Sequence, residues 1–155
     1  MKYFAFALIV VLIGAVAFLT INKVSPVAWG WWGEMNTDSG AALHAYDPVE
    51  YLENGLAVKG EGGISHAWGD AVWHFASDEN KNRFVADPVA YAPQFGSFCA
   101  FAVSKGFTAD SNPEAWHVEN GRLYLFADKN VRDSWVAAIP EGSVERSEQN
   151  WATRR

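Results

Sequence analysis

Trp116-His117-Val118-Glu119-Asn120-Gly121-Arg122-Leu123-Tyr124-Leu125 decides the fold class. Asn-Gly between two runs of alternating apolar residues is the strongest short-range signal for a two-residue hairpin turn, because both central residues must take positive φ. The turn pairs Glu119 with Arg122, Val118 with Leu123, His117 with Tyr124, and Trp116 with Leu125. Side chains alternate across a strand, so Trp116, Val118, Leu123 and Leu125 share one apolar face. Glu119 opposite Arg122 adds a cross-strand charge pair.

Upstream, Ile64 to Ser77 reads as a second hairpin around Gly69-Asp70. It sets Trp68 against Ala71, His66 against Trp73, and Ile64 against Phe75. His66 and His74 then fall on opposite faces, which argues against a two-histidine metal site within the hairpin.

The segments between are helical in pattern. Asp47-Pro48-Val49-Glu50 and Asp87-Pro88-Val89-Ala90 each place a capping carboxylate before Pro at the first helical position. Glu50 can complete a capping box. Asn112-Pro113-Glu114-Ala115 has the same form, so three one-turn helices are predicted. A longer helix is predicted from Ser77 or Asp78 to Ala86. The main buried helix is placed at Phe95–Lys105, capped by Ser97 and stopped by Gly106. A further helix near Lys129–Ile139 ends before Pro140, and a polar tail follows with Trp151 docking back. The expected fold is α+β, a small single domain with two β-hairpins, a central helix and several short helices. Strands and helices do not alternate as in a doubly wound parallel sheet.

Tyr3 to Ile21 reads YFAFALIVVLIGAVAFLTI, without a charge. This is the pattern of one N-terminal transmembrane helix, an anchor contacting the lipid bilayer through residues 3–21. A cleaved signal ending near Ala15-Val16-Ala17 is the rival reading, and both export the domain. The expected organisation is an anchor or signal segment at 1–23, a Trp-rich tether at 24–38, a domain at 39–151 and a tail at 152–155. The location implied is membrane-anchored with the domain outside the cytoplasm, periplasmic or extracellular.

Composition excludes some functions. The chain has 155 residues, with 8 Trp and a formal net charge of -6. So many aromatic residues point to a packed core rather than disorder. An acidic chain without a Lys/Arg run is repelled by nucleic-acid phosphates. The 1 cysteine excludes an intrachain disulfide.

Several motifs in order resemble YHS-domain proteins, most closely their longer exported branch. They are Ala45-Tyr46-Asp47-Pro48-Val49, Trp73-His74-Phe75-Ala76-Ser77, Ala86-Asp87-Pro88, Tyr91-Ala92-Pro93-Gln94-Phe95-Gly96 with Cys99-Ala100, and the Trp116–Leu125 hairpin. The resemblance runs from about Ser39 to Trp151. It implies a small module of the kind that accompanies heavy-metal handling proteins. The chain departs from the family pattern where Glu50 follows Val49 and where Ala76 replaces a strand cysteine. His74 matches the histidine of the family motif.

Cys99, at the start of its predicted helix, is the candidate reactive thiol, since a helix N-terminus favours a thiolate. Cys99 with His74 is the candidate metal-ligand pair, and thiolate with imidazole suits copper(I) or zinc. His44, His66 and His117 carry no signal of their own, and Asp47, Asp87 and Glu50 are capping groups first. The leading expectation is a non-enzymatic exported binding module for a metal ion or small ligand. The alternatives are a thiol-dependent enzyme using Cys99, and a structural or assembly role with a protein partner in the cell envelope.

Overall fold

The computed structural model describes residues 2–154, with the backbone alone for 2–5. The architecture is α+β, built from helices α1 (Lys2–Ile21), α2 (Pro48–Glu53), α3 (Asp78–Ala86), α4 (Pro88–Tyr91), α5 (Ala100–Ser104), α6 (Lys129–Ala137) and α7 (Ser143–Trp151). Its strands are β1 (Ser25–Pro26), β2 (Thr37–Asp38), β3 (Ala41–Ala42), β4 (Glu61–Trp68), β5 (Ala71–Phe75), β6 (Phe107–Thr108), β7 (Asn112–Glu119) and β8 (Arg122–Phe126). They form a four-stranded sheet in the order β2-β3-β5-β4 and two two-stranded ribbons, β1-β6 and β7-β8.

Both hairpins close at the expected turns. Glu119 pairs with Arg122, Val118 with Leu123, His117 with Tyr124 and Trp116 with Leu125. In the other, Trp68 pairs with Ala71 and His66 with Trp73. Beyond that the register shifts, and Glu61 rather than Ile64 sits opposite Phe75. Gly62 and Gly63 lie in the displaced stretch, where the absence of side chains weakens register. The cross-strand ion pair is absent too: Arg122 binds Glu148 at 2.9 Å, while Glu119 turns to His117 at 3.2 Å.

Two apolar clusters form the core. One joins Leu43, Val49, Tyr51, Trp73, Phe75, Phe84, Leu123 and Leu125. The other joins Phe95, Phe98, Cys99, Val103, Tyr124, Phe126 and Trp135. Leu123 and Leu125 face the first and Tyr124 and Phe126 the second, so β8 is buried on both faces and is the shared wall.

Capping follows the sequence in part. Asp47 Oδ1 accepts from the Val49 amide at 2.8 Å, and Asp87 Oδ1 from Ala90 at 3.2 Å. Ser77 Oγ accepts from Asn80 at 3.1 Å and starts α3. Glu50 does not complete its capping box, because Asn80 Nδ2 donates to Glu50 Oε1 and to Asp47 Oδ2, both at 2.7 Å. Asn112-Pro113 opens β7 rather than a helix. The Asn112 side chain accepts from Glu114 at 2.9 Å, and the register shift between Asn112 and Trp116 absorbs the turn.

The long central helix predicted at Phe95–Lys105 is broken. Gln94–Ser97 form a 3-10 turn with Phe95, Gly96 and Ser97 at φ 57, 57 and 66°. That left-handed backbone cannot continue an α-helix, so α5 starts after Cys99 rather than at Ser97, and Cys99 makes no side-chain capping bond. The predicted polar tail is α7, whose Trp151 packs on Phe95 and Phe98.

The transmembrane and signal-anchor readings are corrected. Among the described residues no helix is long and apolar enough to cross a membrane. The stretch of α1 with described side chains, Phe6 to Ile21, rises about 23 Å, short of the roughly 30 Å of bilayer hydrocarbon. The side chains of residues 3–5 of the expected span lie outside the described residues.

Candidate functional site

The most organised polar cluster gathers where α1 joins the domain. The end of α1 is a Schellman motif: the Val24 amide donates to Leu19 O at 2.8 Å and the Lys23 amide to Thr20 O at 3.2 Å. Lys23 holds the left-handed position at φ 51°, which glycine ordinarily takes. Its ammonium explains the exception. Lys23 Nζ donates to Asn36 Oδ1 at 2.6 Å and to Thr37 O at 2.8 Å, and lies 3.7 Å from Asp110 Oδ1. Two more bonds fix this corner: the Asp110 amide donates to Asn22 O at 2.8 Å, and Thr108 Oγ1 to Lys23 O at 2.9 Å.

Asn36 is 1% exposed. Its Nδ2 donates to Asp110 Oδ1 at 2.8 Å, and its amide donates to Gly96 O at 2.7 Å. Gly96 is required here, because a Cβ would stand 1.9 Å from Glu34 O. Ser97 O accepts from Ser111 Oγ at 2.7 Å. The Ser97 hydroxyl, buried by the same left-handed turn, has no hydrogen-bond partner among the described residues.

His44 enters on a second left-handed run, Leu43, His44 and Ala45 at φ 52, 50 and 64°. Its Nε2 is 3.2 Å from Asp110 Oδ1. Consecutive left-handed residues cost free energy and persist only where surrounding contacts over-determine them. Here the 43–45 turn aims His44 at Asp110, and the 95–97 turn presents Gly96 O and Ser97 O.

Asp110 is the hub. Burial alone would raise its pKa, but the hydrogen bonds from His44 and Asn36, the charge of Lys23 and the Ser111 amide outweigh it. Its carboxyl is held well below the ordinary range of about 4. A carboxylate that fixes an imidazole is the orienting half of a catalytic triad. The observed bonds make it first a junction, tying the end of α1 to segments 36–44, 97 and 108–111.

The residues singled out from sequence lie elsewhere. Cys99 is 1% exposed in the second cluster, and its Sγ accepts from the Ala127 amide at 3.3 Å. Burial pushes the thiol up, against the opposing backbone bonds of Ala102, Ala127 and Phe101. A protonated, sealed thiol lacks the reactivity that the thiol-enzyme alternative requires. His74 lies on β5, on the face opposite Trp73 and Phe75, with Nδ1 3.4 Å from Glu61 O. The metal-binding expectation is therefore corrected: among the described residues no group of three or more His, Cys, Asp or Glu is placed to hold a metal ion. The sulfur is closed inside one apolar cluster, while the imidazole stands on the outer face of the sheet that covers the other.

A second unusual group is Arg154. Its side chain is 5% exposed, and its guanidinium stacks 4.3 Å from the Trp151 ring centroid and 5.4 Å from that of Phe98. Nε lies 3.5 Å from Glu34 Oε1, yet Nε, Nη1 and Nη2 make no hydrogen bond among the described residues. The Trp32 indole N–H is likewise buried without an acceptor among the described residues. Nothing in the spacing of the sequence distinguishes Lys23, Asn36, Asp110 or Arg154.

A scan of protein-family models, a search of curated proteins and a search of solved structures each return no match to this chain. The YHS resemblance gains no support from them and stands on the motifs quoted above.

Proposed function

We propose that the chain is a non-enzymatic binding domain held at a lipid bilayer by α1. The observation that carries this reading is the exposure of α1. Phe6, Ile9, Val10, Leu12, Ile13, Val16, Phe18 and Ile21 are each more than half exposed, so apolar side chains point outward on every side. A helix that is apolar all round requires apolar surroundings. At about 25 cal/mol per Å² of apolar area, leaving such a surface in water is strongly unfavourable. The proposal asks that these side chains bed in lipid, not that the helix cross it.

The junction supports the same reading. The Schellman cap, the Thr108 and Asp110 bonds and the Lys23 clamp hold the helix end firmly, so the domain keeps one face toward whatever α1 enters. Trp29 and Trp31 sit beside that end, more than half exposed, with ring centroids 4.5 Å apart. Exposed tryptophans suit the headgroup zone.

Flotation of the full chain with phosphatidylcholine vesicles, and with vesicles containing anionic lipid, tests this. The chain rises with both, because apolar burial rather than charge drives the contact. Replacing Leu12 and Val16 together with Lys shifts most of it to the unbound fraction. A chain that stays with the unbound fraction in both vesicle types removes the proposal.

A further inference from the structure

β4 is an outer strand of the four-stranded sheet, which runs β2-β3-β5-β4. The opposite outer strand, β2, is taken up by the α1 junction, where Lys23 donates to Thr37 O. The ladder shows which backbone groups of β4 point away from the sheet. In an antiparallel pair, residues that bond across the ladder alternate with residues whose N–H and C=O turn outward. The Val72 amide donates to Gly40 O at 2.9 Å, away from β4, so Val72 and its partner Ala67 are an outward pair. Ser65 opposite His74 is the next outward pair, and His66 opposite Trp73, between them, bonds inward. Ser65 and Ala67 each offer one N–H and one C=O to the free side of β4. Among the described residues no backbone group outside the sheet bonds them.

An uncovered strand edge is a template for another strand, and proteins blunt such edges with charge, proline or bulges. β7, whose outer side is likewise unpaired among the described residues, carries Pro113, Glu114 and Glu119. β4 has its register shift and its one carboxylate, Glu61, at its start. From Ser65 to Trp68 the pairing is regular, with no Asp, Glu, Lys, Arg or Pro. Ala67 is exposed and Ser65 and His66 are half-buried, so a partner can reach this stretch. The symmetry of the outward groups selects the occupant. They flank His66 evenly, so a second β4 laid antiparallel about a two-fold axis at His66 sets Ser65 of each copy opposite Ala67 of the other. Every outward N–H then meets an outward C=O. The side chains at the bonded positions are small and uncharged, so nothing holds the backbones apart.

We propose that two copies of this chain associate edge to edge along β4, antiparallel and centred on His66, joining their sheets into one. Such pairing uses the same patch on both copies and closes at a dimer. The paired stretch is short, so the contact belongs to the small, transient class of interfaces and forms in proportion to concentration. The two His66 residues meet as a non-bonded cross-strand pair, with Cα atoms about 4.5 Å apart. The two Ser65 residues lie one position to either side of the axis, which separates their Cα atoms by about 8 Å. The proposal does not depend on the lipid-contact reading, because β4 lies at the edge of the sheet away from the α1 junction.

The test is oxidative crosslinking of the full chain in mild detergent, with copper phenanthroline as oxidant. A disulfide needs Cα atoms within about 7 Å. His66→Cys should therefore link to its own copy roughly 10-fold or more faster than Ser65→Cys, at a rate that rises with protein concentration. The native chain, whose Cys99 is buried, is the blank. Added to His66→Cys, Ala67→Pro removes an outward N–H from each copy without touching the ladder to β5. It should slow linking roughly 10-fold or more, while near-ultraviolet circular dichroism stays native. Should Ala67→Pro fail to fold, Ser65→Lys with Ala67→Lys in the same background gives the same loss, by setting ammonium groups opposite one another. No linking of His66→Cys, equal linking through Ser65→Cys, or linking untouched by the edge variants overturns the proposal. All these variants still float with vesicles, so failure of the dimer and failure of the lipid contact are read separately.

Discussion

Replacing Lys23 with Gly sets two opposed effects against each other, and the sign of the outcome reports which one shapes the junction. Lys23 occupies the left-handed position of a Schellman motif at φ 51°. Glycine there relieves roughly 1 kcal/mol of backbone strain. If the ammonium were merely solvated, Lys23→Gly would stabilise the protein by about that amount. The structure argues otherwise. Nζ donates at 2.6 and 2.8 Å to Asn36 Oδ1 and Thr37 O. Bonds to charged groups contribute about 1.5–3 kcal/mol each, and the loss also strips Asn36 Oδ1, on a buried residue, of its donor. After a discount for the 20% exposure of the Lys23 side chain, and with the strain relief added back, the net loss is roughly 2–4 kcal/mol. Lys23→Met keeps the strain and loses the same bonds, so it should fall about 1 kcal/mol below Lys23→Gly. Urea unfolding of the full chain in mild detergent, followed by near-ultraviolet circular dichroism, gives all three stabilities. A Lys23→Gly variant more stable than the native chain would refute the clamp.

Other parts of the structure make equally definite predictions. Asp110→Asn should cost stability at pH 7. Asp110 is depressed in the folded state, so its contribution is full above the unfolded carboxylate value of about 4 and is lost as pH falls toward the folded one. The gap between native and variant urea midpoints should therefore narrow below about pH 4, and a gap constant down to pH 2 would contradict the hub role. Gly96→Ala places a Cβ 1.9 Å from Glu34 O at φ +57°, and should destabilise by about 3 kcal/mol or more. Gly121→Ala, at φ +74° in open space, should cost only about 1 kcal/mol. Cys99 should resist iodoacetamide at pH 8 until denaturant is added, since burial raises its pKa and closes access. Rapid alkylation of the folded chain would reopen the thiol-enzyme alternative.

What was readable in the sequence is whatever local chemistry dictates. Asn120-Gly121 fixes a register because both residues accept positive φ, and every pair beside that turn followed. Asp47-Pro48 and Asp87-Pro88 start helices because cap and ring act within one turn. Asn112-Pro113 carries the same letters and opens a strand, because pairing with Phe126 outweighs a one-turn helix. Phe95 to Lys105 has helical periodicity, but Gly96 must lie against Glu34 O. That contact with a distant segment breaks the helix, and no periodicity records it.

The candidate site is illegible for the same reason, carried further. Lys23, Asn36, His44, Ser97, Asp110 and Ser111 come from separate segments. The backbone at Lys23, at 43–45 and at 95–97 is left-handed at residues that do not advertise it, the exception being Gly96. A lysine in a glycine's place is explicable only once Asn36 and Thr37 are beside it. Cys99 and His74, by contrast, attract attention by residue type alone, and the fold seals one and leaves the other on an outer face. Where a residue works against its local preference, as Lys23 does at φ 51° and Arg154 does in an aromatic slot, tertiary partners set the conformation. Those partners identify the junction at the end of α1 as the place where the helix is locked to the domain.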